Sequence, residues 1–109
     1  MAYHPDRWLM VRLTNNGKEH YRVFATWLGG YLDGDAWQLN SGVVSLTETE
    51  KTYSFNGSSG SLYVCHKNTY GASSYNYGVL DNLIKRSLEQ GTVIEILPAE
   101  TDFISLNYV

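Results

Sequence analysis

The sequence predicts an α+β domain with a mainly antiparallel, strongly curved sheet or partial barrel of about seven short strands and one packed amphipathic helix. Short segments of alternating apolar and polar residues recur through the first two thirds of the chain. Turn-forming pairs such as Asn16-Gly17 separate these segments. A single later segment changes to helical spacing. With 109 residues, we expect one domain over 1–109.

A hairpin is predicted at the start of the chain. Arg7–Thr14 and Glu19–Trp27 alternate as strands, and Asn16-Gly17 between them suits a two-residue turn. Residues 1–6 read as a lead-in segment. The first strand carries Leu9, Val11 and Leu13 on one face, and Trp8 and Met10 on the other.

The remaining elements follow from changes of period. Further strands are predicted over Ala36–Leu46, Thr52–Phe55, Leu62–His66, Thr92–Leu97 and Phe103–Val109. Residues 67–78 lack a period and are predicted to form a long loop. Val79, Leu80, Leu83 and Ile84 then fall at helical spacing, which predicts an amphipathic helix over about 79–90. Gly91 is its expected C-terminal stop.

Residues 26–44 hold two tryptophans, four glycines and two closely spaced aspartates. One interpretation is a hairpin whose tryptophans fill the core, since large aromatic side chains dominate core burial. The other is an aromatic pocket with a polar rim, built from Tyr31, Asp33, Asp35, Trp37, Asn40 and Ser41. Two carboxylates alone supply too few oxygen ligands for a metal ion, so no metal is predicted here.

The composition combines many aromatic residues with few charges. Nine tyrosines, three tryptophans and three phenylalanines stand beside 17% charged residues and a net charge of −3. A neutral aromatic surface of this kind favours a protein partner or self-association. The negative charge argues against direct nucleic-acid binding, which requires basic side chains to replace counterions. One cysteine and no membrane-length apolar segment indicate a reducing interior and no membrane contact.

No residue set in the sequence predicts catalysis. Cys65 and His66 are neighbours on a predicted strand, so their side chains point to opposite faces and cannot act together. One cysteine and scattered histidines do not form a zinc site. The Gly- and Ser-rich residues 57–61, the segment from Tyr70 to Gly78 and Arg22 offer donors that suit a phosphorylated nucleotide. Ordinary turn chemistry is the alternative reading of both segments. No cofactor is predicted.

The segments FATWLGGYLDGDAWQLNSGV and FNGSSGSLYVCHKNTYG, followed by the helix from Val79, resemble small proteins encoded by bacteriophages and prophages. The resemblance spans about residues 8–88 and implies an accessory protein acting in the cytoplasm of a bacterial host. Such proteins often neutralise host defence by binding a defence enzyme, a CRISPR effector or a nucleotide signal. The resemblance carries no catalytic or binding residues.

We therefore expect a non-enzymatic binding protein that inhibits a host defence protein, and the aromatic composition also favours a homo-oligomer. The alternatives are a sponge for a phosphorylated nucleotide, a small hydrolase using Cys65 or the aspartates, and a minor virion component. The predicted binding residues are Tyr31, Asp35, Trp37, Asn40, Ser41, Tyr70, Tyr75, Tyr77 and Arg22.

Overall fold

The structure is a computed structural model that describes residues 1–29 and 35–108. The strands are β1 (Ala2–Tyr3), β2 (Arg7–Asn15), β3 (Lys18–Trp27), β4 (Ala36–Leu39), β5 (Val43–Glu48), β6 (Thr52–Gly57), β7 (Leu62–His66) and β8 (Val93–Ile96). The α-helix is α1 (Ser74–Glu89), and short 3-10 turns cover Lys67–Thr69 and Phe103–Ser105. The α+β class is confirmed.

The strands form two four-stranded sheets. Sheet I has the order β1-β7-β6-β5, and sheet II has the order β4-β3-β2-β8. Every pair is antiparallel except β1 with β7. The predicted single curved sheet is thus replaced by two sheets, which are not closed into a barrel. One apolar cluster lies between the sheets, and a second lies between sheet II and α1, so the domain has three layers.

Strand β2 is buried on both faces. Trp8 and Met10 point towards sheet I, where they pack in one cluster with Phe55 and Tyr63. Leu9, Val11 and Leu13 point the other way, where they meet Leu80 of α1 and Ile94 of β8. Successive side chains of a strand alternate between faces, so the near-continuous apolar run of β2 suits a central strand covered on both sides.

The helix begins earlier than its apolar period indicates. The Ser73 side chain caps α1 by accepting a hydrogen bond from the Asn76 N–H at 3.2 Å. The first turn is polar and aromatic, so the spacing of apolar residues missed it, whereas the cap residue marks it. The predicted end is close to the observed one, because Gly91 has a φ of +84° that favours glycine.

The predicted strand over residues 36–46 is wrong, because it is two strands in different sheets. The chain leaves sheet II after Leu39 and enters sheet I at Val43, with Gly42 between them at a φ of +132°. Asn40 fixes this crossing, since its side-chain oxygen accepts from the Val23 N–H at 2.8 Å. The strand over residues 52–55 extends to Gly57, and the predicted strand over residues 62–66 is confirmed.

The predicted last strand over residues 103–109 is also wrong within the part of the chain that is described. Phe103 begins a 3-10 turn, and its buried ring packs against Trp8, Tyr53 and Tyr70. Tyr108 then packs edge-on against Tyr21, with ring centroids 5.3 Å apart. The apolar residues of this segment therefore close one end of the core instead of extending a sheet. At the other terminus, residues 1–6 contain β1, which the sequence analysis did not predict.

The Tyr70 hydroxyl lies inside the ladder between β2 and β8. Leu97 N–H donates to the Met10 carbonyl at 2.9 Å, as in an ordinary antiparallel pair. The reciprocal bond is replaced, because Met10 N–H donates to the Tyr70 hydroxyl at 3.1 Å and that hydroxyl donates to the Leu97 carbonyl. Burial raises the pKa of Tyr70 to about 12, although the hydrogen bond with the Met10 backbone lowers it. The ring thus ends the ladder without leaving its polar groups unpaired.

Replacement of Tyr70 by Phe removes this bridge and leaves the Met10 N–H and Leu97 carbonyl without a partner. We expect the free energy of unfolding to fall by about 1–3 kcal/mol, which is the usual cost of unpaired buried polar groups. Urea denaturation followed by tryptophan fluorescence measures the change. Tyr75→Phe is the matched control, because Tyr75 is exposed and a change there should stay within about 0.5 kcal/mol. Equal stability of the two variants would show that the bridge is unimportant.

Candidate binding surface

A hydrogen bond between Ser73 and Asp35 joins the two segments in which the sequence placed its binding residues. The Ser73 hydroxyl donates to the Asp35 carboxylate at 2.6 Å. Asp35 immediately precedes β4, and Ser73 is the N-cap of α1. Trp37 follows Asp35 by two residues, and Tyr75 follows Ser73 by two. The first turn of α1 and the start of β4 are therefore side by side.

Three large rings of these segments are exposed. The exposed fractions are 40% for Trp37, 63% for Tyr75 and 43% for Tyr77. We call these three residues the aromatic surface. Trp37 stacks on buried Phe24, with ring centroids 5.6 Å apart and planes 23° from parallel. One face of the indole is thereby held in place, while part of the ring remains open to a partner.

A guanidinium group that the sequence analysis did not select lies beside the aromatic surface. Arg7 donates from Nη1 to the Ala72 carbonyl at 3.3 Å. Gly71 lies between Arg7 and Tyr77, because a Cβ on it would be 4.0 Å from the Arg7 Cζ and 3.8 Å from the Tyr77 hydroxyl. The φ of Gly71 is +139°, which other residues rarely adopt. Nothing in the sequence marks Arg7, the first residue of β2, as a neighbour of these rings, because only the folding of the chain brings it beside them.

The other predicted binding residues lie elsewhere. Asn40 is buried at the crossing between the sheets, and Tyr70 is held in the β2–β8 ladder. Arg22 is half-buried in β3 opposite Val11, on the face of sheet II that α1 covers. Tyr31 and its neighbour Asp33 lie outside the described residues.

Ser41 lies beside the Gly- and Ser-rich turn at residues 57–61, and several backbone N–H groups of that turn already donate hydrogen bonds within the protein. Ser58 N–H donates to the Gly42 carbonyl at 2.8 Å, and Gly60 N–H donates to the Gly57 carbonyl at 3.0 Å. Ser59 N–H donates to the Ser41 hydroxyl, also at 3.0 Å. These are the backbone groups that a phosphate would need, so the geometry favours turn chemistry over a phosphate cradle.

Cys65 and His66 are separated as the alternation of a strand predicts. Cys65 is fully buried in the core between the sheets, whereas His66 is exposed. Burial raises the pKa of the Cys65 thiol well above its usual value, because an apolar environment disfavours the thiolate. Within residues 1–29 and 35–108, no group of three or more His, Cys, Asp and Glu side chains is placed to hold a metal ion.

Two open clefts share no residue with the aromatic surface. One, of about 290 Å³, is lined by Glu50, Lys51, His66, Lys67 and Asn68. The other, of about 300 Å³, is lined by Asn15, Asn16, Lys18 and His20. In the first cleft, Lys67 already pairs with Glu48 and lies over the Tyr53 ring. In the second, burial and the nearby Arg22 lower the pKa of His20, which disfavours its charged form.

Comparisons with protein-family models, with curated proteins and with solved structures gave no match to this chain. Among the described residues, no helix has both the length and the apolar character needed to cross a membrane. A function is therefore inferred from the placement of side chains.

Replacement of Ser73 by Ala removes both the helix cap and the hydrogen bond to Asp35. We expect the free energy of unfolding to fall by about 1–2 kcal/mol, the upper part of the range for losing an N-cap. Thermal or urea denaturation measures it, with the neighbouring Ser74→Ala as control, since Ser74 is exposed and is not the cap. Equal effects of the two substitutions would contradict the assigned role of Ser73.

The Cys65 thiol is expected to resist alkylation in the folded protein, because it is buried and its thiolate is disfavoured. Mass spectrometry after iodoacetamide treatment at pH 8 should show the unmodified chain, and the same treatment in denaturant should give complete modification. Rapid modification without denaturant would show that Cys65 is accessible, as a hydrolase that uses this thiol requires.

Proposed function

We propose that this chain is a non-catalytic binding protein that acts through the aromatic surface of Trp37, Tyr75 and Tyr77, with Arg7 beside it. The observation that carries the proposal is the Ser73–Asp35 hydrogen bond, because it joins the two segments that bear these exposed rings. Trp, Tyr and Arg are the residues most enriched among those that dominate binding energy at protein interfaces.

The rigidity of the aromatic surface, as well as its composition, supports a role in binding. Trp37 is stacked on a core residue, and both tyrosines lie on the first turn of a capped helix. Tyrosine and tryptophan have few rotatable bonds, so they provide contact area at low cost in conformational entropy. A preorganised surface of this kind loses little freedom on binding, which favours affinity.

We propose a bacterial host protein as the partner. A mixed aromatic and polar surface suits a folded protein, since non-obligate interfaces combine apolar anchors with polar rims. The resemblance to small phage and prophage proteins supports a defence protein as the target and the host cytoplasm as the place of action. Inhibition then results from occupation of the target surface, without a catalytic step.

Tagged protein used as bait in a lysate of infected host cells tests the proposal. Wild-type protein should retain a partner that Tyr75→Ala/Tyr77→Ala and Trp37→Ala variants lose, with affinity for the purified partner reduced about 30-fold or more. Ile104→Ala is the matched control, because Ile104 is exposed outside the aromatic surface and its loss should leave affinity unchanged.

Each variant is first checked for folding by circular dichroism and thermal denaturation. Full partner binding by folded variants without these rings would overturn the proposal. Catalytic turnover of a substrate by the purified chain would overturn its non-catalytic part.

A further inference from the structure

Strand β8 forms a free edge of sheet II. It pairs with β2 on one side, and the described residues place no strand on its other side. Leu97 N–H donates to the Met10 carbonyl, so Leu97 directs its backbone N–H and carbonyl towards β2. Because these groups alternate along a strand, those of Glu95 and Val93 also point towards β2. The N–H and carbonyl groups of Ile94 and Ile96 therefore point outwards, where they are available to another strand.

Exposed apolar side chains accompany this edge. Val93 and Ile96 are exposed on β8, and Leu88 is exposed at the end of α1, which packs against β8. Val93 lies on the face of sheet II towards sheet I, whereas Ile96 lies on the face towards α1. Both faces of the edge thus offer apolar surface to a pairing strand.

We infer that β8 is the interface of a homodimer, in which it pairs antiparallel with β8 of a second copy about a twofold axis at Glu95. This register places Ile94 opposite Ile96 of the second copy, and Ile96 opposite Ile94. Both are hydrogen-bonded pairs, because these are the residues whose polar groups point outwards. Sheet II of one copy and sheet II of the other then join into one sheet of eight strands.

The residues on either side of β8 offer no free backbone N–H to a second copy. Pro98 follows Leu97 and has no N–H to donate. Thr92 N–H already donates to the Ser87 carbonyl at 2.9 Å. Along this edge, the backbone N–H groups that can pair with a second copy are thus those of β8. The pairing between two copies is therefore limited to the length of this strand.

The central glutamates do not oppose this register, because each has a cationic partner. Arg12 Nη2 lies 3.1 Å from one carboxylate oxygen of Glu95, and Arg12 Nε donates to the other at 3.4 Å. Arg12 Nε also lies 3.4 Å from a carboxylate oxygen of Glu19 on β3, which is farther from the twofold axis than Glu95. A second copy of the chain suits this edge in its apolar pattern, because Ile94 and Ile96 of each copy face Ile96 and Ile94 of the other, and Arg12 offsets the repulsion between the two facing Glu95 carboxylates.

Light scattering coupled to size-exclusion chromatography tests the interface. Wild-type protein at about 100 µM should show twice the 12.3 kDa mass of one chain. Ile96→Glu should reduce the mass to that of a monomer, because it places a carboxylate against the apolar Ile94 of the other copy in both halves of the interface. Val44→Glu is the matched control: Val44 is 41% exposed on the edge strand of sheet I, against 39% for Ile96, and should leave the dimer intact.

A cysteine at position 95 reports the register directly. Glu95 and its symmetry mate form a non-hydrogen-bonded pair, whose Cα atoms lie about 4.5 Å apart, within disulfide range. Glu95→Cys should therefore give a covalent dimer in air on non-reducing gels, whereas exposed Thr47→Cys on β5 should not. Any of three results would overturn the proposal. The wild-type protein could be a monomer at 100 µM, Val44→Glu could dissociate the dimer while Ile96→Glu does not, or the two cysteine variants could cross-link equally.

Discussion

The burial of β2 on both faces is the constraint on which the rest of the structure depends. Trp8 and Met10 belong to the core between the sheets, and Leu9 and Val11 belong to the core under α1. Full burial of such side chains contributes roughly 1.5–3 kcal/mol each, so this one strand anchors two apolar clusters. The Trp8 indole N–H also donates to the His66 carbonyl at 2.7 Å, which ties β2 to the end of β7. Sheet I and α1 are thus held on opposite sides of the same backbone.

Buried polar side chains set where the elements end. Tyr70 ends the ladder between β2 and β8 by placing its hydroxyl between two backbone groups. Asn40 bonds Val23 at the point where the chain leaves sheet II. Both residues resemble binding residues by type, yet their hydrogen bonds are internal. Buried polar groups usually have a hydrogen-bond partner, and the Tyr70 hydroxyl and the Asn40 side-chain oxygen find theirs in backbone groups, whereas Asn40 Nδ2 has none.

The exposed rings are those that this layered arrangement leaves uncovered. Trp37 lies on β4, at the edge of sheet II, where its ring stacks on buried Phe24 and is 40% exposed. Tyr75 and Tyr77 lie on the first turn of α1, beside the Ser73–Asp35 hydrogen bond. The aromatic surface is therefore a product of folding, since its residues are almost 40 positions apart in sequence.

The sequence was sufficient to predict the α+β class, the first hairpin, the strand at Cys65, the end of the helix and the separation of Cys65 from His66. These features depend on short-range periodicity and turn residues, which act within a few positions. Only the folded chain shows that residues 36–46 split between two sheets, that Phe103 enters the core, and that Arg7 lies beside the aromatic surface. Each of these features depends on contacts between segments that are distant in sequence. A segment of alternating apolar residues has the same pattern whether it packs over a sheet or forms a strand within one. Whether an aromatic residue is core or surface was likewise settled by what the neighbouring layers cover.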